Sequence, residues 1–254
     1  MIPIFLIGGG WRFEGFRLTF ARFVEAAASP TGHKIMLVVA DEADGQLDEQ
    51  LAKYRTIFEG LGVAPEDLAI EVVSESAHLT RAAVETQRPT GLFVCGGLTP
   101  LYHRALVADR AWIAYIIEQG VAYGGFSAGA MIAPEQAILG GWRIERGGRM
   151  IPILGQDFSE DLDRLEVQAG LGLAPFAVDV HASQWGNLTR PLHAVALGLT
   201  REGWAIDEDT MLEIRDDEVR VHGLGHAYQM LPGQDGGVAV TLHPAGARVP
   251  LQRR

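Results

Sequence analysis

The sequence predicts a single α/β domain over residues 1–254, with a mostly parallel central sheet, helices on both faces and an antiparallel C-terminal end. Three observations predict it. Short, continuously apolar, β-branched runs recur through the first half, as strands buried on both faces do. Between them lie longer segments with apolar residues three and four positions apart, the spacing of helices packed on a sheet. Toward the end of the chain, short runs are separated by turn signals such as Asp216-Asp217 and Gly236-Gly237.

The first expected strand, Ile2–Ile7, runs straight into Gly8-Gly9-Gly10. A helix over Phe13–Ala28, a strand over Lys34–Ala40 and a helix over Leu47–Gly60 follow. The series continues with a strand over Ala69–Val73, a helix over Glu75–Gln87, a strand over Gly91–Cys95, a helix over Asp109–Gln119 and a strand over Val121–Phe126. The second half is less regular. Gly140–Leu154, rich in Gly and Arg, reads as a loop or hairpin, while Phe176–Val180 and Trp204–Asp207 read as further core strands. Met211–Ile214, Glu218–Val221 and Val238–Leu242 form the expected antiparallel end.

Composition bounds the function. A length of 254 residues, 48% of them hydrophobic, suits one large core better than two. The formal net charge of −11 argues against nucleic acid and anionic membrane as partners, because both are held by clustered Lys and Arg. It reads as a solvated surface that can also steer a cationic substrate toward a cleft. The single cysteine, Cys95, excludes an internal disulfide and ends an apolar run, so it reads as a buried strand residue rather than a thiol nucleophile. Ile2–Ile7 lacks a basic leader region and is too short for a signal core, and no stretch approaches the roughly 20 apolar residues of a membrane span. Cytoplasm is the expected location.

Chemistry concentrates at Gly125-Phe126-Ser127-Ala128-Gly129, which follows a strand and precedes a helix-like stretch, Ala128–Ala133. In that context the small flanking residues allow a tight, strained turn that lifts a serine hydroxyl out of the sheet edge. The free N–H of Ala128 at the helix start then points toward a developing oxyanion. A serine needs a base. Of the eight histidines only His181 stands directly at the end of an apolar strand, where open α/β sheets gather their active sites. His222 and His226 have metal-like spacing, but glycines lie between them and no Cys/His cluster completes a site, so they read as loop residues and no metal or cofactor is expected. The base needs an acid. Glu208 follows the strand-like Gly203-Trp204-Ala205-Ile206, and Asp179 competes because it would share a strand face with residue 181.

These residues together resemble the serine peptidase family of dipeptidase E and cyanophycinase, whose fold is similar to class I glutamine amidotransferases. The resemblance rests on Gly8-Gly9-Gly10, Gly96-Gly97-Leu98-Thr99, Gly125-Phe126-Ser127-Ala128-Gly129-Ala130, Gly170-Leu171-Gly172-Leu173, Asp179-Val180-His181 and Gly203 to Thr210. It implies a triad of Ser127, His181 and Glu208, an oxyanion hole from the N–H groups of Gly97 and Ala128, and Asp179 as a residue that orients substrate. The acid resembles the cyanophycinase type, since the dipeptidase E position falls near Trp142, which is not acidic. Arg190 is the one charge kept from that branch's arginines after the histidine, and Thr99 stands where polar substrate contacts belong. The implied partner is a small peptide, with homodimers left open. Val180, Trp185 and Asn187 replace polar and basic pocket positions, so short free peptides, with an acidic first residue as in the dipeptidase E branch, are expected over the polymer cyanophycin. Arg143, Arg146 or Arg149 offers an alternative contact for a substrate carboxylate.

Other readings fit less well. Gly8-x-Gly10 lacks the third glycine of a dinucleotide fingerprint, because position 13 is Phe. An α/β-hydrolase esterase would need its acid before its histidine, drawing on Asp157 or Asp179 and on His222. A non-catalytic binding module on the same fold would not require Ser127, His181 and Glu208 together.

Overall fold

Ile4–Ile7 is apolar and buried along its whole length, and it occupies the middle of an eight-stranded sheet. The computed structural model describes residues 2–30 and 32–251. On one side of Ile4–Ile7 lie Ala122–Phe126, Gly91–Val94, Ile35–Ala40 and Leu68–Val73 in that spatial order, all parallel. On the other side Thr210–Arg215, Glu218–Gly223 and Arg248–Pro250 extend the sheet antiparallel. The parallel half is the predicted βαβ series, and two of the three strands predicted for the antiparallel end, at Met211–Ile214 and Glu218–Val221, form the extension. The third, Val238–Leu242, lies in a second sheet, and Arg248–Pro250 takes the edge instead.

Sequence and structure part in the second half. Ala177–Asp179 and Gly203–Ile206, expected as core strands, are buried but do not join the central sheet. They pair in parallel with each other and continue antiparallel through His226–Pro232 and Val238–Pro244, making a separate four-stranded sheet. An apolar run announces burial; it does not name its neighbour. The glycine- and arginine-rich segment is a hairpin, Arg143–Arg146 against Arg149–Pro152.

The helices show where periodicity misleads. Leu47–Gly60 has the predicted bounds and buries Tyr54, Ile57 and Phe58. The predicted Phe13–Ala28 helix is two, Phe13–Leu18 and Phe20–Ala26, broken at Thr19. Its hydroxyl donates to the Gly15 carbonyl at 2.8 Å, a back-bond that competes with the regular ladder. The predicted Glu75–Gln87 helix begins only at Arg81, because Thr80 caps it by accepting from the Ala83 N–H and Ser74 forms a serine turn with Ala77. Thr99–Val107 was not predicted at all. Seven of its nine residues are buried, so it has no polar face to give it a period.

An aromatic cluster joins the first helices to the sheet. The Phe93 ring lies 5.1 Å from Phe20, 5.2 Å from Phe23 and 5.2 Å from Phe58, and Tyr54 and Phe126 continue the cluster toward the strand ends. The turns leaving Ile4–Ile7, Ala122–Phe126 and Gly91–Val94 therefore sit side by side on a rigid base, at the carboxyl ends of three adjacent strands. Among the described residues no helix is long and apolar enough to cross a membrane. Phe93 is fully buried, so Phe93→Ala should destabilise the protein by about 3–5 kcal/mol, read as a lower urea midpoint with an unchanged slope.

Candidate active site

Ser127 sits between the strand Ala122–Phe126 and the helix Ala128–Ile132 with φ 51° and ψ −112°, a strained conformation for a side-chain-bearing residue. Its N–H donates to the Ile7 carbonyl at 2.9 Å, which pins the turn to the central strand. The hydroxyl stands 2.9 Å from His181 Nε2, and His181 Nδ1 stands 2.8 Å from Glu208 Oε1. A carboxylate can only accept, so Nδ1 carries the proton and Nε2 is left to accept from the serine. The hydrogen bond from His181 holds Glu208 below its ordinary carboxylate pKa, against the opposing effect of partial burial. The Glu208 N–H in turn donates to Gln184 Oε1 at 2.9 Å.

His181 reaches the serine from the second sheet. It follows Ala177–Asp179 in a left-handed conformation (φ 53°), and its N–H donates to the Gly8 carbonyl at 3.0 Å. The glycine turn explains the rest. A Cβ on Gly9 would lie within 3.0 Å of three atoms of the His181 ring, and Gly9 itself has φ +98°. The Gly9 carbonyl accepts from the Asp209 N–H at 2.8 Å, so one turn fixes both the His181 ring and the segment that carries Glu208. Gly9, the middle residue of the Gly8-x-Gly10 pattern, thus makes room for an imidazole.

The Gly96-Gly97-Leu98-Thr99 turn is held by three acceptors. Gly96 N–H donates to the Tyr54 hydroxyl (2.7 Å), Leu98 N–H to Glu42 Oε1 (2.7 Å) and Thr99 N–H to Glu160 Oε2 (2.9 Å). Among the described residues the Gly97 N–H has no acceptor, and neither does that of Ala128. Gly96 packs against Phe126 and Ser127, so this turn borders the nucleophile. Burial raises the pKa of Glu42 and of Glu160, while the backbone donors they hold oppose the rise.

A cavity of about 340 Å³ opens at Ser127 and His181, lined also by Tyr54, Gly97, Glu160 and Trp185. Beside it a second cavity of about 480 Å³ shares Gly97, Glu160 and Trp185 and adds Glu42, Asp157 and Asp161. The cleft wall is acidic.

Three expected contacts are replaced by structural roles. Asp179 and Arg190 are fully buried and form a bidentate ion pair, Nε to Oδ2 at 2.6 Å and Nη2 to Oδ1 at 2.9 Å. Neither reaches the cleft, and Asp179 does not contact the imidazole nitrogen that Glu208 holds. Burial raises the Asp179 pKa, with Arg190 opposing it. Arg190 Nη1 also donates to the Phe158 carbonyl at 3.0 Å, tying the strand before His181 to the loop over the cleft. The Thr99 side chain is likewise fully buried, with its hydroxyl 3.5 Å from Met131 Sδ. None of Arg143, Arg146 and Arg149 lines either cavity, and Arg143 pairs with Asp163. His222 and His226 stand in strands rather than a loop, with His222 Nε2 2.7 Å from Glu213. Cys95 is buried, and burial raises its thiol pKa well above the ordinary value. Among the described residues no group of three or more His, Cys, Asp or Glu could hold a metal ion.

The mostly parallel sheet with its antiparallel end is shared with solved structures named as peptidases. A peptidase from an acI-B1 actinobacterium superposes with a TM-score of 0.71 at 18% identity, over 99% of this chain and 98% of that one. A protein named as a candidate peptidase E from Listeria monocytogenes EGD-e gives 0.54 at 17% identity, over 89% of this chain and all of the other. No protein-family profile and no curated protein matches the chain.

Two substitutions test this framework. Gly9→Ala should displace the His181 ring and abolish covalent labelling of Ser127 by a fluorophosphonate, while circular dichroism stays that of the parent. Arg190→Met leaves the Asp179 carboxylate buried and unpaired, so it should cost about 3–5 kcal/mol in a urea titration.

Proposed function

We propose that the protein is a serine-type peptidase that hydrolyses short peptides through an acyl-enzyme. The observation that carries this reading is the unbroken chain Ser127–His181–Glu208, with links of 2.9 Å and 2.8 Å, beside two N–H groups without an acceptor. The peptidase names of the structures sharing the fold support it.

In the proposed reaction Ser127 Oγ attacks the scissile carbonyl while its proton passes to His181 Nε2. The N–H groups of Gly97 and Ala128 receive the negative charge that develops on the carbonyl oxygen. Glu208 holds the Nδ1 proton and steadies the imidazolium without taking that proton. His181 then protonates the leaving amine, the C–N bond breaks, and water attacks the acyl-enzyme by the same path in reverse. Because three of the four amides at 96–99 are anchored, the Gly97 donor is set before substrate arrives and costs no reorganisation.

The cleft wall favours a particular end of the substrate. Glu42, Asp157, Glu160 and Asp161 face the second cavity, where an acidic first residue would meet like charge. A free α-amino group fits that wall better, so short peptides with an unblocked, non-acidic amino end are the proposed substrates.

A mass-spectrometric hydrolysis screen of free and N-acetylated peptides checks this. Ser127→Ala should lower kcat by about 10⁴-fold or more, and Glu208→Gln by roughly 10²- to 10⁴-fold. N-acetylation should raise KM. Full activity in Ser127→Ala overturns the assignment, and faster cleavage after acidic first residues overturns the substrate claim.

A further inference from the structure

The two nitrogens of the His181 ring are occupied by Ser127 and Glu208. The Gly9 backbone lies so close to the ring, nearest its Cε1, that any Cβ there would strike it. Over a face of the ring lies the Trp185 indole, with centroids 3.7 Å apart and planes inclined by only 8°. We propose that Trp185 is a positioning residue for catalysis, holding the plane of the imidazole by stacking on it and stabilising the positive charge it gains when it takes the serine proton. The inference rests on the serine-peptidase reading.

Local structure produces the stack. His181 precedes the single turn Ala182–Trp185, and the Trp185 N–H donates to the His181 carbonyl at 2.9 Å. Residues four apart across a helical turn stand one above the other, which brings indole over imidazole. Gly186, in the left-handed region (φ 76°), ends the turn so that the indole is not carried onward along a helix.

The indole is itself supported from behind. Phe158 stacks on it at 5.3 Å and 22°, and the Phe158 carbonyl is held at 3.0 Å by Arg190, which also grips Asp179 two residues before His181. Arg190, Phe158, Trp185 and His181 thus form a closed brace, anchored at both ends on the segment that carries the base. Trp185 remains 37% exposed, which is more than a core packing residue shows.

Two physical effects follow. A neutral imidazole stacked on the indole and crowded by the Gly9 backbone has little freedom to turn away from Ser127, so little of the approach to the reactive geometry is left to chance. Once protonated, the ring lies over the negative face of an indole, the aromatic group that attracts cations best. The attraction exists only with charge on the imidazole, as in the transition state, so it raises the rate of acylation rather than ground-state binding.

Trp185 also borders both cavities, so its effect on the base has to be separated from its effect on peptide binding. Diisopropyl fluorophosphate makes that separation, because it reports the nucleophilicity of Ser127 and is too small to span the cleft. Trp185→Ala should slow its reaction with Ser127 by about tenfold, and Trp185→Phe should recover most of the loss, since a phenyl ring keeps the stack. In NMR spectra, the upfield-shifted His181 Cε1 proton should move downfield in Trp185→Ala and remain largely upfield in Trp185→Phe. Equal inactivation rates in wild type and Trp185→Ala, with only the peptide KM raised, overturn the inference and make Trp185 a cleft wall alone. Wild-type protein that leaves the probe unreacted overturns the serine-peptidase reading as well, which distinguishes the two failures.

Discussion

The placement of the His181 imidazole is the constraint on which the rest of the site depends. The ring occupies space that a side chain at residue 9 would fill, and it meets Ser127, Glu208 and Trp185 on its remaining sides. Every contact comes from a different segment of the chain. The first sheet supplies Gly9 and Ser127, whereas the histidine and the acid follow strands of the second sheet, so the two sheets must dock in one register for any of these distances to exist. The hydrogen bonds from His181 N–H to Gly8 and from Asp209 N–H to Gly9 are the fasteners that fix this register.

The buried ion pair serves the same end. Asp179 and Arg190 lie wholly out of water, where an unpaired charge is costly and a bidentate pair with further hydrogen bonds is tolerated. The Asp179 carboxylate also accepts the Val180 N–H at 2.8 Å, and Asn187 donates to the Val180 carbonyl at 3.0 Å. The backbone just before His181 is thereby held on both of its polar sides. A left-handed histidine without such bracing would relax to a more ordinary conformation and lose the serine.

Anchored amides brace the turn on the other side of the cleft. Two glutamates that line the cleft, Glu42 and Glu160, spend hydrogen-bonding capacity on the turn bearing Gly97. They shape the turn and make the cavity acidic at once. Local architecture and the charge of the cavity are therefore coupled, and replacing either carboxylate would disturb both.

The fold class, the positions of the five parallel strands along the chain and the turn at Ser127 are legible in the sequence alone, because buried strands, glycine turns and the serine motif are local patterns written in consecutive residues, whereas the order of those strands in the sheet is not. The sequence also marks His181 as a candidate from its place at a strand end, and it leaves Glu208 and Asp179 competing for the acid until the family resemblance favours Glu208. Only the tertiary structure decided that the strands before those residues form a second sheet, that Asp179 and Arg190 neutralise each other out of reach of the cleft, and that Thr99 points into the core. Helix Thr99–Val107 escaped notice because a helix buried on nearly every side has no periodicity to read. The collision that keeps residue 9 a glycine depends on atoms 172 positions apart in the chain meeting at van der Waals distance. No pattern within a window of sequence encodes such a meeting, since it arises only when the two sheets close upon each other.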